Sequence, residues 1–239
     1  MNLPPVYELV PLKRGSALAE ASRLATEGAD EGTLVWGGNP HASEDITDLD
    51  CALILRPECS LAIETQLIYV AAVSLSSALA ETVQSLVELR FRWPNQVRVG
   101  VANTAFLHLR WPVGEAPNIQ WMVLGARLEA TLGAIADDTL FPNRDPTAKG
   151  ILERFARHFL ADINRWAEEG FETPRKRWLS RADGLDEPIS LVIGDATLEG
   201  IFETIDDQGR LLLRASGGDR RCISVVDFFA PSAKPGPID

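Results

Sequence analysis

No lysine occurs between Arg14 and Ala148, so more than half of the chain has no ammonium group to place against a phosphate. That gap excludes any lysine-based phosphate clamp in this stretch, and no P-loop occurs elsewhere. Cysteine is sparse. Cys51, Cys59 and Cys222 lie far apart with no C-x-x-C spacing, which excludes a disulfide framework and predicts reduced thiols in a cytoplasmic protein. Positive charge is in deficit: 23 Lys and Arg face 34 Asp and Glu, a net charge of −11. That balance argues against nucleic acid and anionic membranes as partners, though not against a local basic pocket. The longest apolar stretch, Leu67 to Leu79, is broken by Ser74, Ser76 and Ser77 and is too short and too polar to span a bilayer. Met1 to Val10 lacks the basic and apolar regions of a signal peptide. G-x-S-x-G and H-E-x-x-H are missing as well.

What is present suits one large domain, or one domain and a small appendage, in 239 residues. Ser16 to Glu27 has Leu18, Ala21, Leu24 and Ala25 on one helical face, with Gly28 as the stop. Gly32 to Trp36 reads as a strand. Residues 37–50 form a loop rich in Gly, Pro, Asn and acidic residues, and Cys51 to Leu55 is a second strand. Ala62 to Glu88 has the pattern of one long helix, with Leu75, Leu79, Val83 and Leu86 as a buried stripe. Leu89 to Trp93 alternates apolar and basic, Pro94-Asn95 breaks it, and Val97, Val99 and Val101 alternate again. Ala105 to Trp111 and Ile119 to Leu128 are further strands. Lys149 to Glu169 is an amphipathic helix with Thr147 as N-cap and Gly170 as stop, and Thr173-Pro174 starts a short helix with Pro at its first position.

After Ala182-Asp183-Gly184 the character changes. Ile189 to Ile193, Ala196 to Ile205, Arg210 to Ala215 and Arg221 to Phe228 are short strands joined by hairpin turns. The expected division is therefore a first domain over 1–184 and a small all-β barrel with a loose tail over 185–239.

Gly32-Thr33-Leu34-Val35, Leu53-Ile54-Leu55-Arg56-Pro57 and Arg90-Phe91-Arg92-Trp93-Pro94-Asn95 occur in that order. They are followed by Leu198-Glu199-Gly200-Ile201-Phe202, Ile205-Asp206-Asp207 and Gly209-Arg210-Leu211-Leu212-Leu213. This series resembles the biotin protein ligases and the wider biotin/lipoate A/B protein ligase family from about Ser16 to Phe229. Trp93-Pro94-Asn95 matches the family's K/R-W-P-N-D, and the last pieces match its C-terminal SH3-like barrel. The resemblance implies an α+β fold: a class II synthetase-like catalytic domain with a mixed sheet and helices, plus that barrel. It also implies a biotin- or lipoate-like acid with ATP and Mg²⁺ as cofactors, an acyl-adenylate, and transfer to a lysine of a carrier domain. It admits a homodimer through sheet edges.

The sequence departs from the family where charge matters. The family's arginine-rich G-R-G-R-x-G-R loop falls on Pro40 to Asp50, which has no arginine or lysine and carries Glu44, Asp45, Asp48 and Asp50. Such a loop repels phosphates. Asn103 stands at the family lysine position, Gln96 at the aspartate after W-P-N, Pro40 near the glutamine that meets the acid, and Phe106 near a small glycine. The catalytic residues are therefore not assigned. The ligand-binding candidates implied by the resemblance are Arg92, Trp93, Asn95, Gln96, Trp36, Trp121 and Gly125. Arg92 is the first choice for a phosphate or carboxylate contact, against the alternative of a solvent-facing strand residue. Trp36, Trp93, Trp111 and Trp121 all fall on expected strands, where they could share an apolar pocket or serve as plain core. Arg90, Arg98, Arg110 and Arg127 are other arginines on or near the central strands.

Three readings follow. The first is a ligase-like protein without ordinary adenylation that binds an organic acid, a carrier domain or a partner. The second is an active divergent ligase or acyltransferase in which arginines replace the lysine. The third is a metal-dependent hydrolase using His41, Glu44, Asp45, Asp48 and Asp50, although that spacing fits no metal motif and a solvated acidic loop explains it better. His108 and His158 read as structural or exposed, and Cys51 as a small core residue.

Overall fold

The computed structural model describes residues 1–37, 49–81, 88–100, 103–112, 119–128 and 147–230, and of Asn103 only the backbone. Seven strands form the main sheet in the order β1-β2-β3-β7-β6-β5-β4. They are β1 (Glu8–Pro11), β2 (Thr33–Trp36), β3 (Leu49–Leu55), β4 (Leu89–Arg92), β5 (Gln96–Val99), β6 (Asn103–Arg110) and β7 (Met122–Leu128). β1 pairs parallel with β2, and the other pairs are antiparallel. Alternation along the strands gives the sheet two different faces. Leu53, Leu107, Leu109, Leu124, Ala126 and Val97 belong to the large core, and Val35, Ala52, Ile54 and Val123 to a smaller one on the opposite side.

The smaller core is made by α1 (Ala17–Thr26). Its buried positions Ala17, Ala21 and Ala25 recur every fourth residue, so a stripe of methyl groups lets the helix lie close on the sheet. Ser16 caps it by accepting from the Ala19 N–H at 3.3 Å, and Asp50 Oδ2 accepts from the Ala17 N–H at 2.9 Å. A carboxylate at this end also suits the helix dipole.

The large core is closed by α3 (Leu67–Ala80), α4 (Ala148–Glu169) and α5 (Glu172–Leu179). The expected single helix from Ala62 is instead the short α2 (Leu61–Glu64) followed by α3, while Val83 and Leu86 lie outside the described residues. In place of one buried stripe, α3 is buried on nearly every side. Its hydroxyls are accommodated by bonding locally: Ser74 Oγ donates to the Val70 carbonyl, and Ser74 also contacts Asp162 Oδ2, both at 2.9 Å. Asp162 in turn accepts from Arg177 at 2.9 Å, which ties α3, α4 and α5 together. Residues Leu61–Ala80 are long and apolar enough to cross a bilayer, but 78% of their apolar window is buried inside the protein. Thr147 caps α4 as expected, accepting from the Gly150 N–H, and Gly170 ends it at φ 81°. Pro174 is the third residue of α5 and not its first.

A four-stranded antiparallel sheet follows, in the order β11-β10-β9-β8, from β8 (Pro188–Ile193), β9 (Ala196–Ile205), β10 (Leu211–Arg214) and β11 (Arg220–Ile223). The expected last strand stops at Ile223. Val225–Phe229 is a short helix, α6, because Ser224 and Asp227 form a reciprocal capping box that outweighs the β-branched pair Val225-Val226. The strand β1 was not expected.

An aromatic joint connects the two sheets. Trp178, fully buried, stacks on Phe91 with centroids 5.6 Å apart, meets Tyr69 edge-on at 5.5 Å and touches Phe202 of β9 at 6.2 Å. Beside it, Trp93 Nε1–H donates to the Tyr69 hydroxyl at 2.7 Å, and that hydroxyl donates to the Gly209 carbonyl at 2.6 Å. Tyr69→Phe removes one oxygen and orphans both partners, so it is expected to lower the unfolding free energy by about 1–3 kcal/mol. Urea unfolding of the two proteins checks this, and equal midpoints would count against the chain of bonds.

Candidate functional site

Among the described residues, the face of the main sheet that carries α1 is only partly covered by that helix. Directly paired residues of neighbouring strands point to the same side, so the register lays the remaining face out in rows. One row runs Arg92–Gln96–Phe106–Arg127–Asp50 across β4, β5, β6, β7 and β3. The next holds His108, Gly125 and Ala52, and the one beyond it Arg110, Val123 and Ile54. On the other side lie Thr104, Arg98 and Arg90. Five arginines and a histidine thus share one face.

They are not equivalent. Arg98 is bound to Asp183 at 2.7 Å and Arg90 to Glu88 at 2.8 Å. Arg92, Arg110 and Arg127 are exposed and make no hydrogen bond or ion pair within the described residues. His108 sits between the rows of Arg110 and Arg127, half-buried, with its ring 6.4 Å from that of Phe229. Burial lowers its pKa from the ordinary value, the charges of Arg110 and Arg127 lower it further, and Asp50 opposes them weakly. The imidazole is therefore neutral at pH 7 and can accept a hydrogen bond at one nitrogen. A histidine with a depressed native pKa contributes stability that is present above pH 6.5 and lost as pH falls through the depressed value. His108→Gln is expected to flatten the stability loss seen on acidification below pH 6.5. Thermal unfolding at stepped pH measures it, and an unchanged slope would contradict the assignment.

Arg92 lies at the outer edge, on the last strand, in a narrow cleft of about 220 Å³ that it shares with Asp183, Glu187, Ser190 and Phe202. Trp93 is buried in the large core, where its ring meets Phe228 edge-on at 5.7 Å. The Trp93–Pro94 bond is cis. Asn95, 7% exposed, closes the turn against β6: its Nδ2 donates to the Leu107 carbonyl and its own carbonyl accepts from the Leu107 N–H. Gln96 is half-buried on the open face between Arg92 and Phe106. Asn103 begins β6 opposite Val99.

The tryptophans do not share a pocket. Trp36 and Trp93 are in the large core at distant strands, Trp111 packs against that same core, and Trp121 is in the α1 core on the opposite side of the sheet. Alternation places them this way: Trp36 has the parity of Leu34, and Trp121 that of Val123. Trp36 Nε1 is buried without a hydrogen-bond partner among the described residues. Gly125 is the place where α1 comes closest, because a Cβ there would stand 3.1 Å from Leu18 Cδ1. It stands three strands from Arg92, about 14 Å across the sheet, so these two candidates do not meet one small molecule head-on.

His41, Glu44, Asp45 and Asp48 lie outside the described residues, as does Pro40. Asp50 is occupied in capping α1. Among the described residues no group of three His, Cys, Asp or Glu side chains could hold a metal ion. His158 is exposed enough to pair with Glu81 at 2.7 Å. Cys51 is buried, and desolvation, helped by Asp50, pushes its thiol up to about 12, which makes it inert packing. Sequence reasoning did not find Phe228 and Phe229, which bring the C-terminal helix to Trp93 and His108; the Ser224-x-x-Asp227 capping signal could have revealed that helix.

The chain's relationships agree with this architecture. Residues 3–180 match the model of the biotin/lipoate A/B protein ligase family, and residues 184–229 that of the biotin protein ligase C-terminal domain. A biotin–[acetyl-CoA-carboxylase] ligase of Paracoccus denitrificans is 32% identical over 189 residues, covering 74% of this chain and 78% of that protein. The bifunctional ligase/repressor BirA of Salmonella typhimurium is 26% identical over 54% of this chain and 43% of its own length. In fold, the chain is similar to a biotin protein ligase-like protein of unknown function from Silicibacter sp. TM1040, with a TM-score of 0.76 at 24% identity over 93% of this chain and 96% of that one. It is also similar to the biotin protein ligase of Aquifex aeolicus in complex with biotin and ATP, at 0.68 and 18% over 92% and 97%. The chain therefore belongs to the biotin/lipoate A/B protein ligase family and has that family's α+β fold, with the C-terminal domain of the biotin protein ligases.

Proposed function

We propose that this protein binds a small organic acid on the open sheet face and does not carry out ordinary ATP-dependent adenylation of it. The observation that carries the reading is the charge pattern of that face. Arg92, Arg110 and Arg127 have no partner there among the described residues, while position 103 is an asparagine and not a lysine. Guanidinium groups hold a carboxylate through two parallel N–H bonds, and neutral His108 adds a group that can donate or accept.

The same residues do not suit a triphosphate. An amide at position 103 brings no charge to an attacked phosphate. Asp50 stands in register with Arg127 and offsets part of its field. Phe106, half-buried in the same row, puts a ring on the face. The sequence over 40–48 carries Glu44, Asp45 and Asp48 and no lysine or arginine. Preorganised cations are what stabilise charge growing at a phosphorus centre, so no step through ATP is assigned. What the chain does to the acid is to orient its carboxylate beside Arg127 and His108, with the division into an acid-binding part and a C-terminal part placed at Gly184.

Calorimetric titration with biotin, lipoate, octanoate and ATP tests this. One of the acids is expected to bind and ATP is not; tight ATP binding, or no acid binding at all, would overturn it.

A second reading has its own support in the unpaired arginines and in the relative named as a biotin ligase. There the acyl group arrives already activated, as a thioester; a lysine amine of a carrier domain attacks its carbonyl, an amide bond forms, the carbon–sulfur bond breaks and the thiol leaves with the amine's proton. Mass spectrometry of a biotin-carrier domain incubated with acyl donors decides it: a mass shift supports transfer, and an unmodified carrier with every donor removes it.

A further inference from the structure

A second cleft, of about 720 Å³, opens on the other face of the sheet. It lies where β1 begins and β3 ends, between α2, the start of α3 and the later turns of α4. Its floor is apolar, with Leu53, Leu55, Leu67, Phe159 and Ile163. Its rim includes Val6 and Ile63, which are 55% and 44% exposed and are two of the few large hydrophobic side chains in the described residues that face solvent. The volume is that of a small-molecule site.

Several of the polar groups in this cleft are engaged within the protein. Arg56 gives its guanidinium to the carbonyls of Gln120 and Ala29 at 3.0 and 2.6 Å. Gln66 accepts from Trp166 Nε1–H and donates to the Asp207 carbonyl. The Tyr7 hydroxyl donates to the Ala156 carbonyl. Glu64 differs. It is 5% exposed, and its Oε1 accepts from the backbone N–H groups of Glu58 and Cys59, both at 3.0 Å. Its Oε2 has no hydrogen-bond partner among the described residues. That oxygen is not sealed from solvent, so it stands ready to accept from a donor that a ligand carries into the apolar cleft, where a charge-assisted bond is stronger than in open water. Glu31 and Glu58 add negative charge at the rim, and with Glu64 these three carboxylates outnumber the one guanidinium, Arg56, so the net charge of the lining is opposite in sign to that of the arginine face.

We propose that this cleft is a second binding site, for a small amphiphile with an apolar body and an ammonium head that donates to Glu64 Oε2. It is independent of the organic-acid site and selects ligands of the opposite charge.

Octylamine and octanoate have the same chain and opposite heads, which makes them a suitable pair of probes. In ¹H–¹⁵N spectra of the full chain, octylamine is expected to shift amides around Glu58–Gln66 and Phe159–Ala167, and octanoate is not. Glu64→Gln keeps an oxygen for the two backbone N–H groups but loses the charge, and it is expected to weaken octylamine binding at least tenfold. Ile63→Lys, at the exposed rim, places a like charge beside the ammonium amphiphile and guards against misfolding of the first variant; it is expected to weaken octylamine binding without moving the rest of the spectrum. Equal shifts from both probes, shifts confined to the arginine face, or unchanged affinity in Glu64→Gln would each overturn the proposal.

Discussion

Replacement of Trp178 by alanine is expected to lower the unfolding free energy by about 3–5 kcal/mol, the largest single effect we anticipate outside the backbone. The ring has no exposed surface and lies against Phe91, Tyr69 and Phe202. Its loss removes aromatic contacts to the main sheet, to α3 and to the C-terminal sheet together. The vacated space cannot collapse easily, because each neighbour is anchored elsewhere. Phe91 pairs by backbone with Arg181 and Asp183, and Tyr69 is fixed by Trp93 and Gly209. Trp178→Phe keeps the stack on Phe91 and is expected to cost clearly less, the more so because the indole N–H has no partner among the described residues to lose. Denaturant unfolding of the three proteins measures this. A change below about 1 kcal/mol for the alanine variant would mean that the two sheets do not depend on this joint.

The second large effect is on binding. Arg127→Ala is expected to weaken association of the organic acid about 10- to 100-fold, the range for a charge-assisted hydrogen bond at a partly desolvated site. Because Arg127 is exposed and has no partner among the described residues, its loss is expected to leave the thermal midpoint nearly unchanged. A further readout separates a direct role from a general change in charge. Burial is the main cause of the lowered His108 pKa, with Arg110 and Arg127 adding to it. Removing Arg127 is therefore expected to raise that pKa toward its ordinary value while acid affinity falls. Calorimetry and histidine titration by nuclear magnetic resonance report the two quantities. Full affinity in Arg127→Ala would remove the residue from the site.

Much of the fold could be read from alternation and caps. The helices after Ser16 and Thr147 start where their cap residues stand, and strands β2 to β7 follow the apolar period. Two kinds of feature escaped. α3 is buried on nearly all sides, so its sequence shows no stripe from which to judge its ends, and the break at Thr65-Gln66 carries no Gly or Pro. At Val225-Val226 the β-branched residues spoke for a strand, and the capping box around them decided for a helix. The site was legible residue by residue but not as a surface. Sequence could say that arginines lie on central strands. Only cross-strand register could say which share a face with Phe106 and His108, that Asn95 is committed to its turn, and that Trp36 and Trp121 lie on opposite sides of the sheet.

The central claim is that the open face holds an acid's carboxylate but does not activate it with ATP. The most direct measurement is pyrophosphate release by the full chain supplied with ATP, Mg²⁺ and either biotin or lipoate, with a biotin-carrier domain present. The account predicts no release above the protein-free background while calorimetry still detects an acid bound. Release that rises with acid concentration and is matched by loading of the carrier would contradict it.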